Sequence, residues 1–227
     1  CKRKSMGIVL KRRDNAGVVK DVYGGIFDIL MKDKDIEKAA SFLGDSLKGL
    51  IEGEVGIPKL IITKALRGNY KNPKQIAHKV LADRIGRRDP GNKPSIGDRI
   101  PYVYFKNPDK KALQGNKIEL PSFIEENNLE IDYAHYITNQ IMKPVQQVFA
   151  LVLEKMKLFR KKKGATLRVW YEQINKLKEK HSDEETFKRR LETLRNREVK
   201  GLLFDEWLTR IENKRKGNGT VADYFNM

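Results

Sequence analysis

Cysteine is almost absent from this chain: there is one, Cys1, in 227 residues. That excludes a disulfide framework and any multi-cysteine zinc site. Histidine is nearly as scarce, and His78, His135 and His181 lie too far apart in sequence to suggest a metal cage. No run approaches the roughly 18 apolar residues of a spanning helix, and the opening residues do not read as a signal peptide. The expected location is therefore nuclear or cytoplasmic, not secreted. Catalytic patterns are missing too: there is no Ser/His/Asp order, no phosphate-cradling glycine-rich loop and no H-E-x-x-H. Asp33 and Asp35 have a spacing that can hold Mg²⁺, but they flank Lys34 just before a helix and read as a cap. Glu125-Glu126 and Glu184-Glu185 sit where helix ends favour acids. Gly24-Gly25, inside a helical pattern, reads as close packing. No catalytic residue and no metal ligand is expected in this chain.

What the chain does have is positive charge, 47 Lys and Arg against 30 Asp and Glu, a formal +17. It is concentrated in blocks. Between Lys59 and Tyr104 stand eleven basic residues (59, 64, 67, 71, 74, 79, 84, 87, 88, 93 and 99) against Asp83, Asp89 and Asp98, a net +8 with tyrosines interleaved. Lys2 to Lys20 carries seven basic residues and one acid, a net +6. Lys155 to Val169 adds seven more without an acid. Clustered charge of one sign is the electrostatic footprint of a polyanion binder, nucleic acid before an anionic membrane surface. With 39% apolar residues the chain can still bury a core.

The organisation alternates short strands with longer helices. Ser5 to Lys11 reads as a strand. Asn15 is placed to cap a helix with Val18, Val22, Ile26, Ile29 and Leu30 on one face. Asp35 opens a second helix with Ile36, Ala39, Leu43, Leu47 and Leu50, ending near Gly53. Ile57 to Thr63 is strand-like. Asn72-Pro73 marks a third helix, with Ile76, Val80 and Ile85 facing inward. Asp89 to Asn92 is turn chemistry, and Ile96 to Phe105 alternates as a strand. Helices over 132–142 and 144–157 meet at Pro144, which should break or kink them. After the basic linker, helices over 166–180 and 183–212 are expected, the second opened by a Ser182–Glu185 capping box. The fold class is α+β, mostly helical. Beginning CKRKSMGIVL without methionine, the chain is expected to be a piece of a longer one, cut upstream; a protein-splicing junction at Cys1 is the alternative.

Three runs, in this order, carry a resemblance: KSMGIVLKRRDNAGVVKDVY, then LIITKALRGNYKNPKQIAHKVLADRIGRRDPGNKPSIGDRIPYVY, then IDYAHYITNQIMKPVQQVF. They are similar to the C-terminal part of B-family DNA polymerases, above all the replicative delta-type enzymes and those of large nucleocytoplasmic DNA viruses. The resemblance implies that 1–15 end the palm, 16–157 form the thumb, 158–212 are a helical extension and 213–227 a flexible tail. It implies a DNA-directed DNA polymerase, a nucleotidyltransferase of DNA replication, whose catalytic aspartates, fingers and exonuclease domain lie upstream. Mg²⁺ belongs to the full enzyme and no cofactor to this part. Cellular delta-type enzymes continue into cysteine-rich modules, which this sequence lacks, and that favours a viral polymerase.

By motif, the resemblance gives Lys11, Arg12 and Arg13, beside Asp14, to the palm–thumb junction facing primer–template DNA. Lys64, within Thr63-Lys64-Ala65-Leu66, tracks the primer strand, with Arg67, Tyr70 and Lys71 in the same loop. Arg84, Arg87, Arg88 and Arg99 complete the DNA-binding surface, Asp98 orienting Arg99. Such contacts should go to phosphate and sugar, because a polymerase moves over any sequence. In the tail, Asn218, Val221, Tyr224 and Phe225 have the spacing of a peptide that binds a sliding clamp, although Asn stands where Gln is usual. The alternatives to the polymerase reading are a free-standing basic helical DNA-binding protein and a clamp-recruiting scaffold without enzymatic activity.

Overall fold

The computed structural model describes residues 9–109, 111–181 and 183–215. These fall into two compact units: one holds the chain up to Tyr23 and Gly49–Gln140, the other Gly24–Lys48 and the chain from Ile141 onward. Compactness thus divides the span 16–157 between both units. The fold is α+β and mostly helical, with one three-stranded sheet.

In the first unit, Val9–Lys11 is a 3-10 turn rather than the end of a strand. Asn15 does not cap the following helix; its side chain donates to Val9 O at 3.1 Å and closes that turn. Helix α1 (Gly17–Asp28) begins here and α2 (Ile36–Glu52) ends here. Ile57–Lys59 forms a 3-10 turn opened by Pro58, so the expected strand starts late, as β1 (Ile62–Ala65). Pro73 likewise opens a short 3-10 turn before α3 (Ala77–Arg88), whose buried residues are Leu81 and Ala82. Ile76, Val80 and Ile85, expected inside, are only half-buried. Strand β2 (Arg99–Tyr104) also starts late. Ser95 to Asp98 form a turn in which Gly97 has φ +96°, a left-handed conformation that favours glycine, and Ile96 is 74% exposed. β1 pairs antiparallel with β2, Ile62 opposite Tyr102 and Lys64 opposite Ile100. The far half of β2 pairs with β3 (Ile118–Glu119), giving the order β1-β2-β3. Helices α4 (Pro121–Glu126) and α5 (Tyr133–Tyr136) follow.

Tyr136 ties this unit together. Its ring is fully buried, and its hydroxyl donates to Leu60 O at 2.8 Å while accepting from Tyr104 N at 3.0 Å. Burial pushes the phenol well above its usual range, so it stays a donor. Next to it, His135 stacks on Tyr104 with ring centroids 3.4 Å apart, and burial lowers the imidazole to about 4. Gly115 lies against Val80 of α3, where an added Cβ would come within 2.6 Å of the valine's own.

The second unit is helical. Asp35 caps α2, accepting from Lys38 N at 2.9 Å, and Asp33 pairs with Lys38 at 2.7 Å, so the D-x-D pair serves the helix end. Gly25 admits the Phe42 ring, which an added Cβ would meet at 2.4 Å. Pro144 does not break its helix. A π turn at Ile137–Ile141 precedes α6 (Met142–Ala150), widening the helix where the proline has no N–H for Gln140 O. After α7 (Lys157–Arg160) come α8 (Gly164–Lys180) and α9 (Glu184–Leu203). The cap of α9 is Asp183, which accepts from Thr186 N at 2.7 Å, in place of the expected Ser182, which lies outside the described residues. The long terminal helix divides at Phe204, fully buried and non-helical, and resumes as α10 (Asp205–Arg215). Ile26, Leu43, Leu47, Phe149, Phe159, Val199 and Phe204 form the core of this unit.

Replacing Tyr136 by Phe keeps the packing but strands a buried carbonyl and a buried amide. Each orphaned group costs about 1–3 kcal/mol, so urea melts should show a loss of about 2 kcal/mol or more. An unchanged midpoint would mean that water reaches both groups.

Candidate nucleic-acid interface

The first two basic clusters of the sequence meet in the first unit. Arg12 holds Asp14 through both of its forks, Nε to Oδ1 at 3.0 Å and Nη2 to Oδ2 at 2.9 Å. Lys64 Nζ reaches the same carboxylate at 3.9 Å. The Arg12 hydrogen bond is the main cause that holds the Asp14 carboxyl below its usual range, and Lys64 adds to it. Residues 52 positions apart in the chain thus share one anion, and Lys11 and Arg13 stand exposed on either side of Arg12.

The loop after β1 is held from inside. Leu66 is buried, donating to Asp98 O and accepting from Gly97 N, both at 2.8 Å, which extends the pairing past the strand. Arg67 N donates to Tyr70 Oη at 2.7 Å, and that hydroxyl lies 2.9 Å from His78 Nε2. Burial, then the charge of Lys64, lowers the His78 imidazole, while a bond to the Ala65 backbone opposes them. A neutral ring with one nitrogen on Ala65 and the other accepting from Tyr70 satisfies every partner. Tyr70 therefore has its hydroxyl engaged between the loop and α3, and the loop carries the exposed side chains of Arg67 and Lys71.

The arginines of α3 separate into two kinds. Arg84, only 19% exposed, is committed inward: Nη2 donates to Gly115 O at 3.0 Å and to Ile118 O at 2.6 Å, and Nε lies 3.1 Å from Glu119. Arg88 donates to the same Glu119 oxygen at 3.0 Å and lies 3.9 Å over the Phe123 ring. Arg87 faces solvent beside Lys74 and Lys93 at the mouth of a cleft of about 500 Å³. Arg99 is exposed but donates to Thr63 O at 3.1 Å across the β1–β2 pair. Asp98 does not orient it; its carboxylate accepts from Ser95 N at 2.7 Å and closes the turn.

The residue that sequence reasoning missed is Glu119. Its carboxylate, 3% exposed, neutralises both Arg84 and Arg88 from the end of β3. An acid inside the apolar run Ile118 to Leu120 was the available signal. Asn218, Val221, Tyr224 and Phe225 lie outside the described residues. Among the described residues no group of three or more His, Cys, Asp or Glu could hold a metal ion, and no helix is long and apolar enough to cross a membrane.

Of the eleven residues named from the sequence, five cations of the first unit, Lys11, Arg13, Arg67, Lys71 and Arg87, are exposed and form no ion pair among the described residues, while others are held at fixed positions. Such cations can bind a chain of phosphates without reading bases.

The family model described as DNA polymerase family B matches residues 2–152. A DNA polymerase of Pyramimonas orientalis virus is 49% identical over 232 residues, covering 100% of this chain and 19% of that protein. A DNA polymerase of Acanthamoeba polyphaga mimivirus is 51% identical over 66% of this chain and 9% of its own length. The DNA polymerase delta catalytic subunit of Candida albicans is 34% identical over 69% of this chain and 15% of its own. Among solved structures, a family B DNA polymerase of the archaeon Pyrobaculum calidifontis matches 58% of this chain and 17% of that chain, at 21% identity and a TM-score of 0.49. The chain belongs to DNA polymerase family B. It spans about a fifth or less of the length of these relatives.

Replacing Glu119 by Gln should leave the half-buried Arg84 without its counter-charge, which costs up to about 3–5 kcal/mol, the range for a fully buried pair. Chemical denaturation would read that loss. A change under about 1 kcal/mol would show that the two backbone carbonyls alone satisfy Arg84.

Proposed function

We propose that this chain is the palm end and thumb of a replicative, virus-like DNA-directed DNA polymerase. It grips primer–template duplex through phosphate contacts while the rest of the enzyme adds nucleotides. The observation that carries the reading is the coincidence of the family match over 2–152 with the unpaired, exposed cations of the first unit. Arg67 and Lys71 project from a loop fixed by Tyr70 and His78, so a phosphate meets them with little further ordering to be done. Lys11, Arg13 and Lys64 form a second contact group around Asp14. Arg84 and Arg88 support this surface from within by fixing the end of α3 to β3.

The divalent metal that nucleotidyl transfer calls for finds no ligand set among the described residues. Asp14, Asp98 and Glu119, acids among the basic residues of this unit, already have partners. The metal-binding acids are assigned to the palm residues of the longer protein. The tail residues Asn218, Val221, Tyr224 and Phe225 are assigned to a sliding clamp, on their spacing alone.

Lys64→Glu with Arg67→Glu should weaken binding of a duplex oligonucleotide by about tenfold or more. It should also flatten the dependence of log affinity on log salt by about 0.9 for each phosphate no longer neutralised. Fluorescence anisotropy across a salt series measures both; unchanged affinity and slope would remove these residues from the interface. Separately, Tyr224→Ala with Phe225→Ala should abolish capture of the protein by a sliding clamp and leave duplex affinity intact. Retained capture would refute the assignment of the tail.

A further inference from the structure

Residues 153–215 follow the stretch matched by the family model, and α8 and α9 form an antiparallel hairpin there, Gln173 meeting Arg197 at 3.5 Å. A groove of about 350 Å³ runs between the two helices. Its lining residues recur at i, i+3, i+4 and i+7 on each: 173, 176, 177 and 180 face 190, 193, 194 and 197. Leu177 and Leu194 make the floor. Lys176 and Lys180 on one side and Arg190 and Arg197 on the other make the rims, and no carboxylate lines the groove. Lys176, Lys180 and Arg190 form no ion pair among the described residues, and all four cations are exposed.

We propose that this groove docks an acidic amphipathic helix of a partner protein, an apolar side chain entering between the leucines and carboxylates reaching both rims. Charge complementarity selects the occupant: four cations without an acid demand an anion, and a leucine floor demands that the anion carry an apolar face. A phosphate backbone meets only half of that demand. Single-stranded nucleic acid is held by stacking on aromatic rings, and the groove is lined by none. Seven residues of helix extend about 10 Å, which suits two turns of a partner with one anchor and acids three or four positions on either side. The site lies outside the family-matched stretch, so it does not depend on the reading of the basic surface in the first unit.

The test uses the full chain and a fluorescent helical peptide of about four turns, with leucines at i, i+4 and i+7 and glutamates on the flanks. The expected result is saturable binding that weakens with salt and falls at least tenfold for Lys180→Glu with Arg190→Glu. The same variant should gain affinity for a peptide with lysine in place of each glutamate. Equal binding of a glutamate peptide without leucines would reduce the groove to a charged patch and overturn the proposal; this comparison needs only the unaltered protein. Binding indifferent to both substitutions, or displacement of the peptide by duplex oligonucleotide acting through those residues, would overturn it as well.

Discussion

The Tyr136 hydroxyl joins three separate pieces of the first unit: the carbonyl just before β1, the amide at the end of β2, and helix α5, on which it sits. A buried polar group is costly when unpaired and specific when paired, so this one oxygen fixes how the helix lies on the sheet. The alignment then propagates. β1 in register with β2 puts Leu66 under Asp98, and Leu66 anchors the loop that carries Arg67 and Lys71. The basic loop is only as well placed as that register.

A net charge of +17 exaggerates what the surface can offer a polyanion. Arg84 and Arg88 belong to Glu119, Arg12 to Asp14, and Arg99 to a backbone carbonyl. These cations act on the protein: they bring acids and carbonyls into places where backbone alone would not hold. The exposed, unpaired ones act on whatever approaches. Counting positive residues does not distinguish the two kinds, whereas burial and partners do.

Helical spacing was legible where the periodicity was long. Val18, Val22 and Ile26 of α1, and Ala39, Leu43, Leu47 and Leu50 of α2, are buried as their spacing required. The ends were not. Asn15 donates its side-chain amide to Val9 O while the helix begins two residues later at Gly17, and Asp183 took the cap expected of Ser182. At Pro144 the helix had an outlet, the π turn, that a rule about broken hydrogen bonds does not include. The family was legible from three ordered motifs, because each keeps particular residues at particular spacings. The division of labour among Arg84, Arg87 and Arg88 was not. It depends on a strand some 30 residues downstream, and nothing local marks Glu119 as the residue that α3 will meet.

The contact of Gly115 with Val80 has a consequence for how this surface can vary. The glycine carbonyl is one of the acceptors for Arg84, and the segment leads within three residues to Ile118 and then Glu119. With a Cβ the segment would have to lift from α3, because the valine stem is rigid. Lifting would carry the carbonyl acceptors away together and hand a half-buried guanidinium back to solvent. Steric tolerance at one uncharged position and the electrostatic character of the helix end are therefore a single degree of freedom: a methyl group at 115 would rewrite the charge map of the surface without touching a charged residue.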